Sequence, residues 1–264
     1  MFKAMRKSKN ASMKVLVLIN MAIAAICFSN CKNKDKPNQS PLVNDSREMT
    51  SYINDTVSGK PCDITINNVH FTKSVNSAES LITCDDNGKV VFTTGEKTDY
   101  FKDPDGKLSN NSAPILLTHI DNTKPFTFTA RVTPEFVKGD MYNAGVLYIY
   151  VNDSFFQKLC FEEDERGNHR VVTVRTVGSS DDNNHDIAEQ SYVYMKISSD
   201  AKTVASYYSL DNKNWQMVRL YENKYPKEMW VGISTQCPVG KGARSIFEEI
   251  ALEKASVKDF RLGI

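Results

Sequence analysis

From about residue 60 to the C-terminus the chain is a succession of short apolar or alternating runs, each closed within a few residues by turn formers. The runs are Cys62–Ile66, Lys89–Thr93, Phe126–Val132, Ala144–Val151, Phe155–Phe161, Val171–Val177, Tyr192–Ile197, Thr203–Ser209, Met217–Tyr221, Met229–Thr235 and Ile246–Glu253. Between them stand Asp85-Asp86-Asn87-Gly88, Asn152-Asp153-Ser154, Asp164-Glu165-Arg166-Gly167-Asn168 and Asp211-Asn212-Lys213-Asn214, all with the chemistry of tight hairpins. No window carries a helical period, apart from one turn near Met49–Asn54. Parallel strands need long crossovers, usually helices, so strands spaced this closely pair antiparallel. The expectation is an all-β, two-sheet antiparallel jelly-roll sandwich. Its 13 Phe and 11 Tyr suit the pleated, half-buried surfaces of such a fold.

Alternation assigns faces within the sandwich. Gly145, Leu147, Ile149 and Val151 share one face of their run, and Val146, Tyr148 and Tyr150 the other. Leu159 and Phe161 match the apolar face as core residues, which leaves Lys158, Cys160 and Glu162 with the tyrosines. On the next run Thr173 and Arg175 are assigned to this polar set, with Val172, Val174 and Thr176 opposite. A surface of Tyr148, Tyr150, Lys158, Glu162 and Arg175 suits a sugar, whose C–H face packs on aromatic rings while its hydroxyls bond charged groups. The same pattern also describes the plain solvent face of a sandwich. Both readings stand at this point.

The first 30 residues read as an address. Lys3, Arg6, Lys7, Lys9 and Lys14 precede an apolar run from Val15 to Ile26, broken only by Asn20. That run is shorter than the roughly 20 residues a membrane span needs, and has the form of a bacterial export signal. Cys31 follows where a lipoprotein signal peptidase would leave a new N-terminus for acylation, and a polar stretch continues to Ser46. The expected organisation is a lipoprotein signal peptide over 1–30, a polar tether over 31–58 and the sandwich over 59–264. The expected location is the bacterial cell envelope, with the membrane held through the lipid on Cys31; the alternative is a secreted protein cut after Ala22-Ile23-Ala24. The net charge of +1 becomes −4 once the five basic residues of the leader are removed. A mildly acidic chain has no electrostatic footprint for nucleic acid.

With Cys27 in the leader and Cys31 acylated, four cysteines remain, none with metal-ligand spacing. Export permits a disulfide, and Cys62–Cys84, flanking one hairpin, is the expected pair. Cys160 and Cys237 are expected as small buried apolar residues.

Five segments, read together, resemble one family: Thr98-Asp99-Tyr100-Phe101-Lys102-Asp103-Pro104, Asn143-Ala144-Gly145-Val146-Leu147, Lys158-Leu159-Cys160-Phe161-Glu162, Ser180-Asp181-Asp182-Asn183-Asn184 and Val231-Gly232-Ile233-Ser234-Thr235-Gln236-Cys237-Pro238. It is the concanavalin A-like domain family of unknown function named after a yeast regulator of enolase. The resemblance runs from Leu81 to Glu253 and departs at Cys237, where the family commonly has Ser before Pro. It implies a jelly roll like that of many lectins and glucanases, and no established reaction.

The fold invites a glycosidase reading. Glu162-Glu163-Asp164-Glu165 superficially resembles the Glu-x-Asp-x-x-Glu strand of jelly-roll glucanases, but the third position falls on Gly167, and Asp164 and Glu165 belong to a turn. The enzyme alternative is therefore Glu162 with an acid from 181–186, Asp182 first. Asp181, Asp182 and Asn184 join the ligand-binding candidates. Asp181, Asp182 and Asp186 also offer oxygens to Ca²⁺, against the plainer reading of an acidic loop with Asx-turns; no other cofactor is expected. Trp215, after the Asp211–Asn214 turn, is expected to pack over its hairpin rather than stack on a ligand. The leading expectation is non-catalytic glycan binding, with hydrolysis and a structural or protein-partner role as rivals.

Overall fold

The computed structural model describes residues 51–264. The expected signal peptide, Cys31 and most of the expected tether lie outside the described residues. A helical turn over 51–53 leads into the strands β1 (Lys60–Ile66), β2 (Val69–Val75), β3 (Ile82–Cys84), β4 (Val90–Gly95), β5 (Tyr100–Lys102) and β6 (Ser109–Asn111). There follow β7 (Ile115–Asp121), β8 (Phe126–Pro134), β9 (Ala144–Asn152), β10 (Phe155–Glu163), β11 (His169–Val177) and β12 (Ser179–Ile187). The last are β13 (Val193–Ser199), β14 (Thr203–Ser209), β15 (Trp215–Glu222), β16 (Glu228–Gln236) and β17 (Gly242–Glu253).

These strands form the expected antiparallel two-sheet jelly roll. One sheet runs β1-β2-β7-β16-β9-β10-β11-β12, the other β15-β14-β13-β8-β17-β4-β3. Leu147, Ile149, Leu159 and Phe161 of the first meet Phe128, Met195, Ile197 and Phe247 of the second in one apolar cluster. Full burial of each large side chain contributes roughly 1.5–3 kcal/mol, so this layer holds the sheets together.

The larger sheet has a second covered face. β5 and β6 pair only with each other and lie against its outer side. Tyr100 of β5 sits edge-on to Tyr148, Tyr150 and Phe156, with ring centroids 6.2, 6.2 and 5.4 Å away. Consequently every residue of β9 and of β10 is buried.

Four expectations change here. Residues 51–58, assigned to the tether, belong in part to the sandwich. Asn152 Nδ2 donates to the Tyr52 carbonyl at 2.6 Å, Ser58 Oγ donates to Asp153 at 2.5 Å, and Ser154 bonds Asp55. Gly178, at φ +74°, has no Cβ where the Tyr52 ring packs. Residues 179–187 are a strand and not a loop, because an edge position lets a polar segment pair through its backbone alone. Cys62 and Cys84 are free thiols on β1 and β3, strands of different sheets. Finally, the face assigned to β11 is inverted, which decides the composition of the site.

Candidate functional site

Strand register defines the outer face row by row. Trp230, Tyr150, Phe156, Thr176 and Ser180 stand level across β16, β9, β10, β11 and β12. The next row is Gly232, Tyr148, Lys158, Val174 and Asp182, then Ser234, Val146, Cys160, Val172 and Asn184. A last row holds Gln236, Ala144, Glu162 and Arg170. Thr173 and Arg175 therefore point to the inner side. Arg175 stacks 5.0 Å from the Tyr221 ring of the other sheet, and Asp181, paired with Arg175, receives Arg219 Nη2 at 3.1 Å. The inner side accepts these polar groups because Gln157 is buried there as well, donating to Ser206 Oγ at 2.7 Å and accepting from Tyr221.

Beyond the Tyr100 contact the hairpin leaves a cavity of about 440 Å³ on the outer face. Its floor is Lys158, Glu162, Val172 and Val174, with the exposed Asp182 and Asn184 of edge strand β12 along one rim; Gln236 closes another side. Asp99, Phe101, Asp103 and Leu108 come from the hairpin and its flanks. Tyr142, Glu165, Pro238 and Val239 form the opposite rim. Tyr142 holds φ at +67°, a left-handed value that a bulky side chain rarely adopts and that costs of order 1–3 kcal/mol. Its backbone is held there by two hydrogen bonds: its amide donates to the Glu163 carbonyl at 2.7 Å, and its carbonyl accepts from Gln236 Nε2 at 3.2 Å.

The electrostatic centre is Lys158, 2% exposed. Its ammonium donates to Asp99 Oδ1 at 2.9 Å and to Gln236 Oε1 at 3.1 Å. Burial pushes its pKa down, but the charge and hydrogen bond of Asp99, together with Cys160 and Glu162, hold the ammonium above its ordinary range. Glu162 is 7% exposed and lines the cavity without a hydrogen-bond partner among the described residues. Burial pushes its carboxyl up to about 8, against the pull of Lys158 and with the push of Asp182, Asp99 and Asp164. Asp182 is also raised, chiefly by loss of hydration.

The structure thus brings Lys158, Glu162, Asp182 and Asn184 together. It places the Tyr148 and Tyr150 rings beneath the hairpin, both 0% exposed, so neither is an open stacking surface. Arg175 and Asp181 lie on the other side of the sheet, and the Asp186 carboxylate accepts from Tyr208 Oη at 2.7 Å. The three aspartates offered to Ca²⁺ do not converge, because alternation sends Asp181 and Asp182 to opposite faces. Among the described residues no three His, Cys, Asp or Glu side chains are placed to hold a metal ion. Trp215 packs near Tyr207 and Val257, with Lys196 Nζ 3.6 Å from its ring centre. Alternation could not find Asp99, Phe101, Tyr142 or Gln236, which lie on short strands, in a loop or at a strand end. The family segments did contain Asp99, Phe101 and Gln236.

Fold and cavity together define a two-sheet antiparallel jelly-roll sandwich with a pocket on its outer sheet. The chain matches the family described as "Protein of unknown function (DUF1349)" over residues 76–255 and belongs to it. No curated protein matches. A functionally unknown protein from Saccharomyces cerevisiae is similar at 21% identity and TM-score 0.62, over 70% of this chain and 96% of that one. The GH43 BlXynB protein from Bacillus licheniformis is similar at 15% identity and TM-score 0.56, over 72% of this chain and 37% of that one. Bacteroides ovatus xyloglucan PUL GH43B follows at 12% identity and TM-score 0.54, over 76% and 40%. These likenesses are of fold.

Proposed function

We propose that the protein is a cell-envelope lipoprotein, anchored through Cys31, whose outer-sheet cavity binds a saccharide without cleaving it. The observation that carries the reading is the mixture lining the cavity. Phe101 and Tyr142 offer aromatic surface, while the Lys158–Asp99 pair, Gln236, Asn184 and Asp182 offer hydrogen bonds. A volume of about 440 Å³ falls in the ordinary range for small-molecule sites. The carboxylate geometry supports binding over hydrolysis. Glu162 and Asp182 are two strands and four residue steps apart, roughly 16 Å between backbones at ordinary strand spacing. Paired glycosidase carboxyls stand about 5–9.5 Å apart, so both side chains would have to reach towards each other along nearly their full length to form such a pair. One observation favours the hydrolase rival: a carboxyl raised to about 8 stays protonated at neutral pH, as a general acid must.

Glycan-array binding and reducing-sugar release, measured on the mature protein, separate the two. Binding without release is expected. Tyr142→Ala and Asn184→Ala, both at the exposed rim, should remain folded and weaken binding at least tenfold, about 1.4 kcal/mol each. Release of sugar favours the rival, and binding to no saccharide overturns both. For the anchor, Cys31→Ala should free the protein from membranes; an unacylated mature N-terminus found elsewhere by mass spectrometry overturns that half.

A further inference from the structure

The cavity carries a charge imbalance that a neutral sugar does not need. Five carboxyl side chains line it, those of Asp99, Asp103, Glu162, Glu165 and Asp182, and among the described residues Lys158 is the one cation that does. That cation is committed, with Asp99 at 2.9 Å and Gln236 at 3.1 Å. A second observation points into the cavity. Glu162 is more than nine-tenths buried, sits on the cavity floor and has no hydrogen-bond partner among the described residues. Its carboxyl opens onto the cavity, with its hydrogen-bonding capacity left to whatever enters there. A cation placed there would favour the ionised form of Glu162, which accepts hydrogen bonds only.

We propose that the cavity is built for a saccharide bearing a protonated amine, with the ammonium seated against Glu162. The inference rests on the saccharide-binding reading and names its ligand class. An ammonium supplies three donors and a positive charge at the place where the Glu162 carboxyl has neither beside it within hydrogen-bond reach. Burial, joined by the charges of Asp182, Asp99 and Asp164, raises Glu162 to about 8 against the pull of Lys158; a further cation beside it would restore the charged form. A uronate or sulfated sugar meets the opposite situation, since its negative charge would face Asp182 and Glu165 with no free cation. Rejection of acidic glycans by like charge is as much a part of specificity as attraction.

The test is calorimetric titration of the mature protein with glucosamine oligosaccharides and with the same oligosaccharides N-acetylated, at neutral pH. The amine form is expected to bind at least tenfold more tightly. Glu162→Gln keeps the shape and removes the ionisable group, so that ratio should fall to about threefold or less; thermal unfolding establishes that the variant is folded. Equal or tighter binding of the N-acetylated form overturns the inference and leaves saccharide binding standing. So does an amine preference that survives Glu162→Gln. Binding of neutral glucans with neither of these also overturns it, whereas binding to no saccharide at all overturns the parent reading.

Discussion

On its inner face the eight-stranded sheet meets seven strands; on its outer face it meets a hairpin of two three-residue strands. The inner contact is broad, so its residues are chosen by packing, with the Gln157, Arg175 and Tyr221 group as a polar inclusion. The outer contact is narrow. Tyr100 covers Tyr148, Tyr150 and Phe156, and where the hairpin ends an open cavity begins. Asp153 secures the hairpin by accepting from Tyr100 Oη at 3.0 Å, Tyr150 Oη at 2.6 Å and Asn111 Nδ2 at 3.1 Å. Burial by a full sheet leaves no room for a ligand, whereas burial by a small cover yields a dry floor with an open end. The lesson is that a side chain can be wholly buried and still border a binding site, as Lys158 does.

Three measurements can break or sharpen this contrast. The largest effect is expected at Phe161 on the inner face, where Phe161→Ala should cost about 3–5 kcal/mol through lost burial and a cavity. Lys158→Ala on the outer face should cost about 3 kcal/mol, because it leaves Asp99 unpaired beside the floor. Denaturant midpoints compare the two directly. A Lys158→Ala cost within 0.5 kcal/mol of zero, the behaviour of an ordinary surface lysine, would mean the outer face is open after all.

A second effect, of a few kcal/mol at most, is in the pH dependence of stability. The folded chain holds the Glu162 proton up to about 8, while the unfolded chain releases it near 4.5, the ordinary value for a glutamate. The native state therefore binds more protons in that window. Stability from this group is fully present below about 4.5, falls as pH rises towards 8 and is level above. Glu162→Gln should flatten that part of the profile, read from urea midpoints at pH 5 and pH 8.5. An unchanged slope would show that Glu162 is hydrated like a rim residue.

The smallest effect concerns Tyr148, whose hydroxyl is buried without a partner. Tyr148→Phe should be neutral or stabilising by up to about 1 kcal/mol, since an unsatisfied polar atom is removed. A loss above 1 kcal/mol in thermal unfolding would show that the hydroxyl has a partner, and that the outer layer is wetter than the inner one.

The sequence by itself determined the sandwich. Short alternating runs and hairpin turns are local signals, and antiparallel pairing of neighbouring strands turns them into sheets with little further information. It also determined that Leu159 and Phe161 are core and that Lys158 and Glu162 share the opposite face of their strand, whereas Asp182 and Asn184 were legible only as polar loop residues. Only the tertiary structure decided which face was which on β11. Alternation reveals a face when one side is wet, and here the hairpin makes both sides dry, so Val172 and Val174 look like core while Thr173 and Arg175 occupy it. Tertiary structure alone also moved Tyr148 and Tyr150 from an expected surface to a covered layer, and carried Asp99 and Phe101 over the floor from some sixty residues away in sequence. No local pattern encodes that approach, because what places a cover is the burial of Tyr100 against rings that the folded sheet has first brought together.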